Sequence, residues 1–290
     1  MPKMVIALFK KYIDLLDEVY MNASLSKDLD GDMSLVRAGA NTNEIIIPKL
    51  SMDGLADYSR NDGYVKGAVN LTMESVKFNY DRGRKFDVDA MDNEETAGLA
   101  FGKLSSEFIR TKVVPEMDAF RFATYASIPN ISVVSETFAD GKELLKRINA
   151  ANTQMDEDQV PSENRILYIT PTNYNKVYDL NTTESREALS AFTKIVKVPQ
   201  TRFYTAIKLK DGKTVGDEAG HFEKAEGAKD INFMIIHKEA IMQYPKHTVN
   251  KVISPELNQE SDGWLFFYRA YGLADAYENK VAGIYLSHKA

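Results

Sequence analysis

Hydrophobic and polar positions along the chain follow two different periods, and the switch between them falls near residue 92. Phe86, Val88 and Ala90 alternate with Lys85, Asp87 and Asp89, the period of two expected of a strand with one wet face. Val76, Phe78 and Tyr80 alternate with Lys77 and Asn79 in the same way. Between the two runs, Asp81-Arg82-Gly83 has the composition of a tight turn, with Gly83 able to take the positive φ that closes it. The pattern predicts a long charged hairpin from Val69 to Ala90. Two strands alone bury too little to be stable, so such a ribbon is expected to lie on a partner. Beyond residue 92 the period lengthens. Ala97, Phe101, Leu104 and Phe108 follow at spacings of four, three and four, one apolar stripe of an amphipathic helix. Asp92 or Asn93 serves as its N-cap, with Glu94 and Glu95 in the first turn where the helix dipole favours anions. Pro115 is expected to kink or restart this helix, with Glu116 and Asp118 in the new first turn.

The flanks are read in the same way. Val5, Leu8, Phe9, Tyr12, Leu15, Leu16 and Val19 predict an amphipathic helix over 4–20, followed by a polar extended arm from Asn22 to Asn43. Ile45–Ile47 reads as a short edge strand ended by Pro48, and 51–68 as a glycine-spotted loop leading into the hairpin. From about Val133 the texture becomes alternating α and β. Helices are expected over 140–155 and at PTNYNKVYDL, buried strands at RILYIT and INFMIIH, and shorter strands around a break at Pro199. A polar loop fills 211–230, and two aromatic-rich strands, WLFFYRAYGLADAY and VAGIYLS, end the chain.

Composition narrows the function classes. With 290 residues, 44% of them hydrophobic, the chain can bury one large core or two modest ones. No window approaches the roughly 18 uninterrupted apolar residues that a membrane span needs. The N-terminal apolar run, MVIALF, is too short for a secretory signal and is soon followed by Asp14, Asp17 and Glu18. Cysteine is absent, so stability must come from packing or assembly. A net charge of −6 argues against a protein that grips nucleic acid, which usually presents a basic patch to the phosphates.

Candidate chemical motifs fail on their own spacing. Asp211-Gly212-Lys213-Thr214 resembles the end of a phosphate-binding loop, but Ile207 stands where its first glycine belongs. Asp28, Asp30 and Asp32 open like a calcium loop, but Met33 replaces its glycine and Gly39 its bidentate glutamate. No pair among His221, His237, His247 and His288 has the spacing of a helical zinc site. There is no G-x-S-x-G elbow, although a triad, whose members need not be neighbours in sequence, stays open. Asp87, Asp89, Asp92, Glu94 and Glu95 are read as a solvent face followed by a helix cap rather than an acid/base or metal cluster. Arg82, Arg84 and Lys85 form a basic tip that fits either phosphate or, more economically, a charged contact with another subunit.

DYSRNDGYVKGAV, then DRGRKFDVDAMDNEET, then FIRTKVVPEMDAFRFATYA resembles the arm-to-hairpin-to-spine segment of the major capsid proteins of tailed double-stranded DNA bacteriophages, the Hong Kong 97-like fold. In particular it looks like that segment in capsid proteins from phages of low-GC Gram-positive bacteria. RILYITPTNYNKVY, INFMIIHKEAIMQYPK and FYRAYGLADAYENKVAGIY resemble that group's later segments, so the likeness runs from about Met1 to Tyr285. It implies an α+β, Hong Kong 97-like structural protein of an icosahedral shell, built from hexamers and pentamers and enclosing the double-stranded DNA genome. No catalysis, cofactor or metal is implied. Residues 1–60 would be an N-terminal arm, 61–92 the extended loop lying over a neighbour, and 93–132 with 253–290 a peripheral domain carrying the spine helix. Residues 133–252 would form an axial domain.

The expected subunit-interface residues are Arg82, Arg84, Lys85, Asp87, Asp89, Glu94, Glu95, Arg110 and Lys112. The partners implied are further copies of the chain, a portal protein and, because the arm begins almost at Met1, a separate scaffolding protein. The location implied is the virion, after assembly in the host cytoplasm. Some relatives join subunits through a lysine–asparagine isopeptide; Lys66, Lys77, Lys85 and Asn279 are of the right types, but no motif marks them. The alternatives are an encapsulin-type nanocompartment shell of the same fold and, more distantly, a soluble α/β enzyme. Deleting 70–90 is expected to leave a soluble subunit that cannot form shells.

Overall fold

The computed structural model describes residues 24–31, 37–38, 44–61, 63–90 and 106–290. The predicted helix over 4–20, the cap at Asp92 or Asn93, and Glu94 and Glu95 lie outside the described residues. The strands are Arg37–Ala38 (β1), Glu44–Met52 (β2), Val69–Lys77 (β3), Tyr80–Asp89 (β4), Ser132–Ser135 (β5), Arg165–Ile169 (β6), Lys194–Lys197 (β7), Ile207–Leu209 (β8), Phe222–Lys224 (β9), Ile231–His237 (β10), Ile241–Ile253 (β11), Gly263–Ala276 (β12) and Ile284–His288 (β13). The α-helices are Val114–Ala126 (α1), Gly141–Glu157 (α2), Pro171–Tyr178 (α3) and Thr183–Ser190 (α4).

Two sheets carry the body. One has the order β5-β13-β10-β6-β7. RILYI and INFMIIH are buried along their whole length because both faces of this sheet are covered. On one face Ile166, Tyr168, Met234, Ile236 and Leu286 pack with Phe122 and Tyr125 of α1. On the other, Leu167, Ile169, Phe233, Ile235 and Tyr285 pack with Leu144, Leu145, Ile148 and Met155 of α2. The alternation of odd and even positions between two cores is the strand period made visible. α2 starts where the sequence says it should. Asp140 accepts from Glu143 N at 2.9 Å while Glu143 Oε2 accepts from Ala139 N at 3.1 Å, a reciprocal cap. The second sheet has the order β11-β12-β4, and the helix before and through α1 lies on it. Tyr80, Ile109, Val113, Val114, Met117, Phe266 and Tyr268 form that core.

The chain does not pair as its alternation first implies. β3 pairs with β2, from Glu44 opposite Lys77 to Met52 opposite Val69. β4 pairs instead with β12, from Tyr80 opposite Gly272 to Asp89 opposite Gly263. The expected turn at Asp81–Gly83 is therefore the interior of a strand. Gly83 is needed there for close approach, since a Cβ would stand 2.8 Å from the Tyr268 carbonyl oxygen. Asp81 accepts two hydrogen bonds from Arg269, at 2.8 and 2.6 Å. The break between β3 and β4 comes at Asn79, whose side chain donates to Ala274 O (2.7 Å) and accepts from Ala274 N (3.1 Å). The real hairpin thus spans 44–77, with 53–68 as its tip. Period-two alternation fits any antiparallel neighbour, and β12 supplied a longer, more aromatic one than β3 could. Pro48 does not end β2, which continues to Met52 with Pro48 opposite Met73. Deleting 70–90 would remove β4 with Tyr80 and Phe86 from the core, so that deletion would unfold the body.

Other expectations shift as well. Strand β12 completes the sheet under the helix, but β13 enters the five-stranded sheet between β5 and β10. Residues 241–253, expected in the axial region, form β11 and pair with β12. β11 and α4 were not read from the sequence; α4 is capped by Thr182 Oγ1, which accepts from Ser185 N at 3.1 Å. Pro115 does not break the helix but stands at the start of α1, as the sequence predicts. A π-turn at Ile109–Val113 precedes it, and α1 carries the proline in its first turn. The wider turn accommodates a ring that would otherwise meet the carbonyl of residue 111.

The expected extended arm is, over 24–31, a partly buried tether, with Ser26 and Leu29 inside. Asp118 of α1 is fully buried and accepts from Ser24 Oγ (2.9 Å), Leu25 N (3.1 Å), Ser26 N (3.3 Å) and Ser26 Oγ (2.8 Å). Arg202 Nη1 reaches the same carboxylate at 3.4 Å. Gln243 Nε2 donates to Ser26 O and Asp30 Oδ1, both at 2.7 Å, while Tyr125 OH donates to Gln243 Oε1 at 2.6 Å. Removing one member of a buried charged network costs about 3–5 kcal/mol. Asp118→Ala should therefore lower stability by about that amount, read by urea unfolding with the single tryptophan, Trp264, as probe. A loss below about 1 kcal/mol would show that the tether is not energetically coupled to the body.

Candidate functional site

Among the described residues no group of three or more His, Asp, Glu or Cys side chains is placed to hold a metal ion. Among those residues, too, no helix is long and apolar enough to cross a membrane. The two rejected motifs have structural employment. Asp211 Oδ1 accepts from Lys213 N and Thr214 N, both at 2.8 Å, and Oδ2 from Thr214 Oγ1 at 2.6 Å, a closed turn. In the calcium-like run Asp28 accepts from Lys194 at 2.7 Å, and Asp30 pairs with Arg121 at 3.3 Å.

What stands out is a surface. In the β2–β3 hairpin, directly opposed residues share a face. The register places Pro48, Leu50 and Met52 on one face with Met73, Leu71 and Val69. Leu50, Met52, Val69, Leu71 and Met73 are each between 55% and 68% exposed. The other face turns to the body: Ile45 is buried with Met242, Tyr244 and Leu273, and Lys49 pairs with Glu278 at 2.7 Å. Nine residues in each strand at about 3.3 Å per residue give a ribbon of about 30 Å. Its outer face is an uncovered apolar ladder, which on a folded protein marks a contact surface.

The charges expected on a hairpin lie elsewhere. Arg82, Arg84, Lys85, Asp87 and Asp89 lie along β4, and Arg110 and Lys112 lie in the π-turn before α1. Arg82 Nε donates to Glu116 Oε1 at 2.7 Å, Arg84 Nη2 to Glu218 O at 3.1 Å, and Lys85 Nζ to Glu260 Oε2 at 2.9 Å. Asp87 accepts from Ser261 Oγ at 3.2 Å, and Arg110 pairs with Glu107 at 2.7 Å. Several of these charges therefore stitch the chain to itself.

Comparison with known proteins bears on the fold. No protein-family model matches the sequence, and no curated protein does. Solved structures do. The capsid of Cyanophage P-SCSP1u matches with a TM-score of 0.57 over 92% of this chain and 88% of its own, at 14% identity. Gordonia phage Cozz matches with a TM-score of 0.59 over 92% and 86%, at 10% identity. A virus-like particle from Pyrococcus furiosus matches with a TM-score of 0.58 over 97% and 99%, at 12% identity. The fold is the Hong Kong 97-like capsid fold.

In this Hong Kong 97-like chain the residues that sequence reasoning missed are the ladder. Its signal was present in PKLSM and VNLTM, where Pro, Leu and Met, then Val, Leu and Met, alternate with polar residues. The most coupled charges surround Glu116, buried on α1. Tyr80 OH donates to its Oε1 at 3.3 Å, and His221 Nδ1 stands 3.5 Å from its Oε2. Burial pushes the Glu116 carboxyl up, but His221 and Arg82 outweigh it and hold the group below its ordinary 4.5. A carboxyl depressed in the folded state contributes stability above its unfolded value and loses it as pH falls through the folded one. Glu116→Gln should cost about 1.5–3 kcal/mol at neutral pH. That deficit should shrink as pH drops from about 6 to about 3, read by urea unfolding of both proteins; a deficit independent of pH would exclude the charged role.

Proposed function

We propose that the chain is the major capsid subunit of a tailed double-stranded DNA bacteriophage, assembling with itself into hexamers and pentamers of an icosahedral shell. The observation that carries this reading is the exposed apolar ladder on a ribbon of about 30 Å, in a chain with a capsid fold. Burial of large apolar side chains contributes about 1.5–3 kcal/mol each, so leaving five of them in water favours a second surface to cover them. In this reading 44–77 is the extended loop that crosses a neighbour. The helix 106–126 with β4, β11 and β12 forms the peripheral part, and the five-stranded sheet with α2, α3 and α4 the axial part. A net charge of −6 suits a wall that encloses DNA without gripping it. A portal and a separate scaffolding protein would be the further partners, and the virion the final location.

The interface also draws on Asp89, Arg110 and Lys112, exposed on β4 and the π-turn. The alternative, a nanocompartment shell of the same fold, is not better supported by the solved structures that match. The two differ in contents, DNA against a folded cargo protein.

Leu50→Asp combined with Leu71→Asp should leave a folded subunit that forms no shells, because the two carboxylates sit opposite each other in the middle of the ladder. Negative-stain electron microscopy and size-exclusion chromatography read the outcome. Normal shells from this variant would sink the proposal, and DNA in particles purified from infected cells decides between virion and nanocompartment.

A further inference from the structure

A cleft of about 230 Å³ opens between β4, the helix leading into α1 and the loop 210–221. Its floor is aromatic: Phe86, Phe108 and Tyr268 line it, with the Phe86 and Phe108 ring centroids 4.7 Å apart. Four cations surround that floor, and their neutralisation is uneven. Arg82 is matched by Glu116 at 2.7 Å and Lys210 by Glu223 at 2.9 Å. Arg84 meets a backbone carbonyl rather than a carboxylate, and Lys112 is exposed with no ion pair among the described residues. Asp211, which also lines the cleft, is turned back onto Lys213 and Thr214. In a protein of net charge −6, an apolar floor beside two cations without acid partners is a local exception.

Arg84 is held in place by shape. Gly212 and Gly220 lie in the left-handed region, at φ 73° and 66°, and a Cβ on them would stand 2.8 and 3.3 Å from Arg84 Nη1. The bare backbone of the loop is thus the seat of the guanidinium, and Nη2 donates to Glu218 O at 3.1 Å. A guanidinium carries a planar fork of donors, and that single bond is the only one Arg84 makes among the described residues. A fork already ordered by its surroundings loses little freedom on binding, and its geometry matches two oxygens of one phosphate.

We propose that this cleft binds a small molecule consisting of one aromatic ring and a phosphate monoester, with the ring against Phe86 and Phe108 and the phosphate between Arg84 and Lys112. Size selects a single ring, because sites for larger ligands run from about 300 to 1,000 Å³ and this one is smaller. Charge selects a phosphate, since a dianion matches the two cations that no carboxylate meets. The aromatic floor selects a ring over an alkyl chain, through edge and face contacts that add to burial. Such a ligand joins β4, the helix and the loop 210–221. The site lies within one chain, so it stands or falls independently of the shell reading.

Isothermal titration calorimetry of the full-length, unassembled chain with phenyl phosphate tests this. One saturable site per chain is expected, with a Kd below about 1 mM. Inorganic phosphate, which lacks the ring, and benzyl alcohol, which lacks the charge, should each bind at least roughly tenfold more weakly. Lys112→Ala, which removes one charge, and Arg84→Lys, which keeps the charge but loses the fork, should each weaken phenyl phosphate roughly tenfold. Affinity should also fall as salt is raised, because the cations lie near the surface. Folding of each variant is checked by size-exclusion chromatography; Lys112 is exposed, so its truncation keeps the test readable even if Arg84→Lys does not fold. No saturation at about 1 mM phenyl phosphate overturns the proposal. So does inorganic phosphate binding as tightly, which would leave the floor unused. Undiminished binding by the folded Lys112→Ala chain overturns it as well, by placing the ligand elsewhere.

Discussion

Strand β12 is fourteen residues long and bonded on both edges, to β11 along nearly its whole length and to β4 from Gly263 to Gly272. That double pairing constrains the rest of the molecule. By taking β4 it denies β3 its neighbour in sequence, so β3 turns back onto β2 and the two leave the body as a ribbon. By presenting Phe266, Tyr268 and Ala270 to one side it also provides the bed for Ile109, Val113 and Met117 of the helix. Gly83 and Gly263 permit the close approach, since a Cβ on either would meet backbone or carboxylate atoms at 2.8 Å.

Two buried carboxylates, two residues apart on α1, then fasten the parts together. Asp118 holds the 24–31 tether and Arg202, while Glu116 holds Arg82 of β4 and faces His221. Both acids are charged groups removed from water, and they are tolerable because each accepts several hydrogen bonds. His221 is placed by a backbone in the left-handed region, φ 70°, at the end of the loop that walls the cleft. The body is thus defined by polar links as well as by its cores, whereas among the described residues the hairpin meets it through Ile45, Ile47 and Val76, packed with Met242, Tyr244 and Leu273, and through Lys49 paired with Glu278.

Much of this was legible in the chain. The buried runs RILYI and INFMIIH, the capped helix after Asp140, the helix begun by Pro171 and the aromatic final strands all form where period and turn chemistry place them. Residue charge on β4 was also legible, but its use was not. Within the chain Arg82, Lys85 and Asp87 meet Glu116, Glu260 and Ser261. Lys85 and Glu260 are 175 residues apart in sequence, and nothing local marks the pair.

By itself the sequence determined which segments are strands or helices, because side-chain period and capping act over a few residues. It also ruled out the phosphate-loop and calcium-loop motifs, since each fails on its own spacing. Only the tertiary structure decided which strands pair. Antiparallel alternation is the same whoever the neighbour is, and the choice between β3 and β12 for β4 was made by the whole core that β12 brings with it. That choice moved the ribbon from 69–90 to 44–77 and turned its apolar side outward.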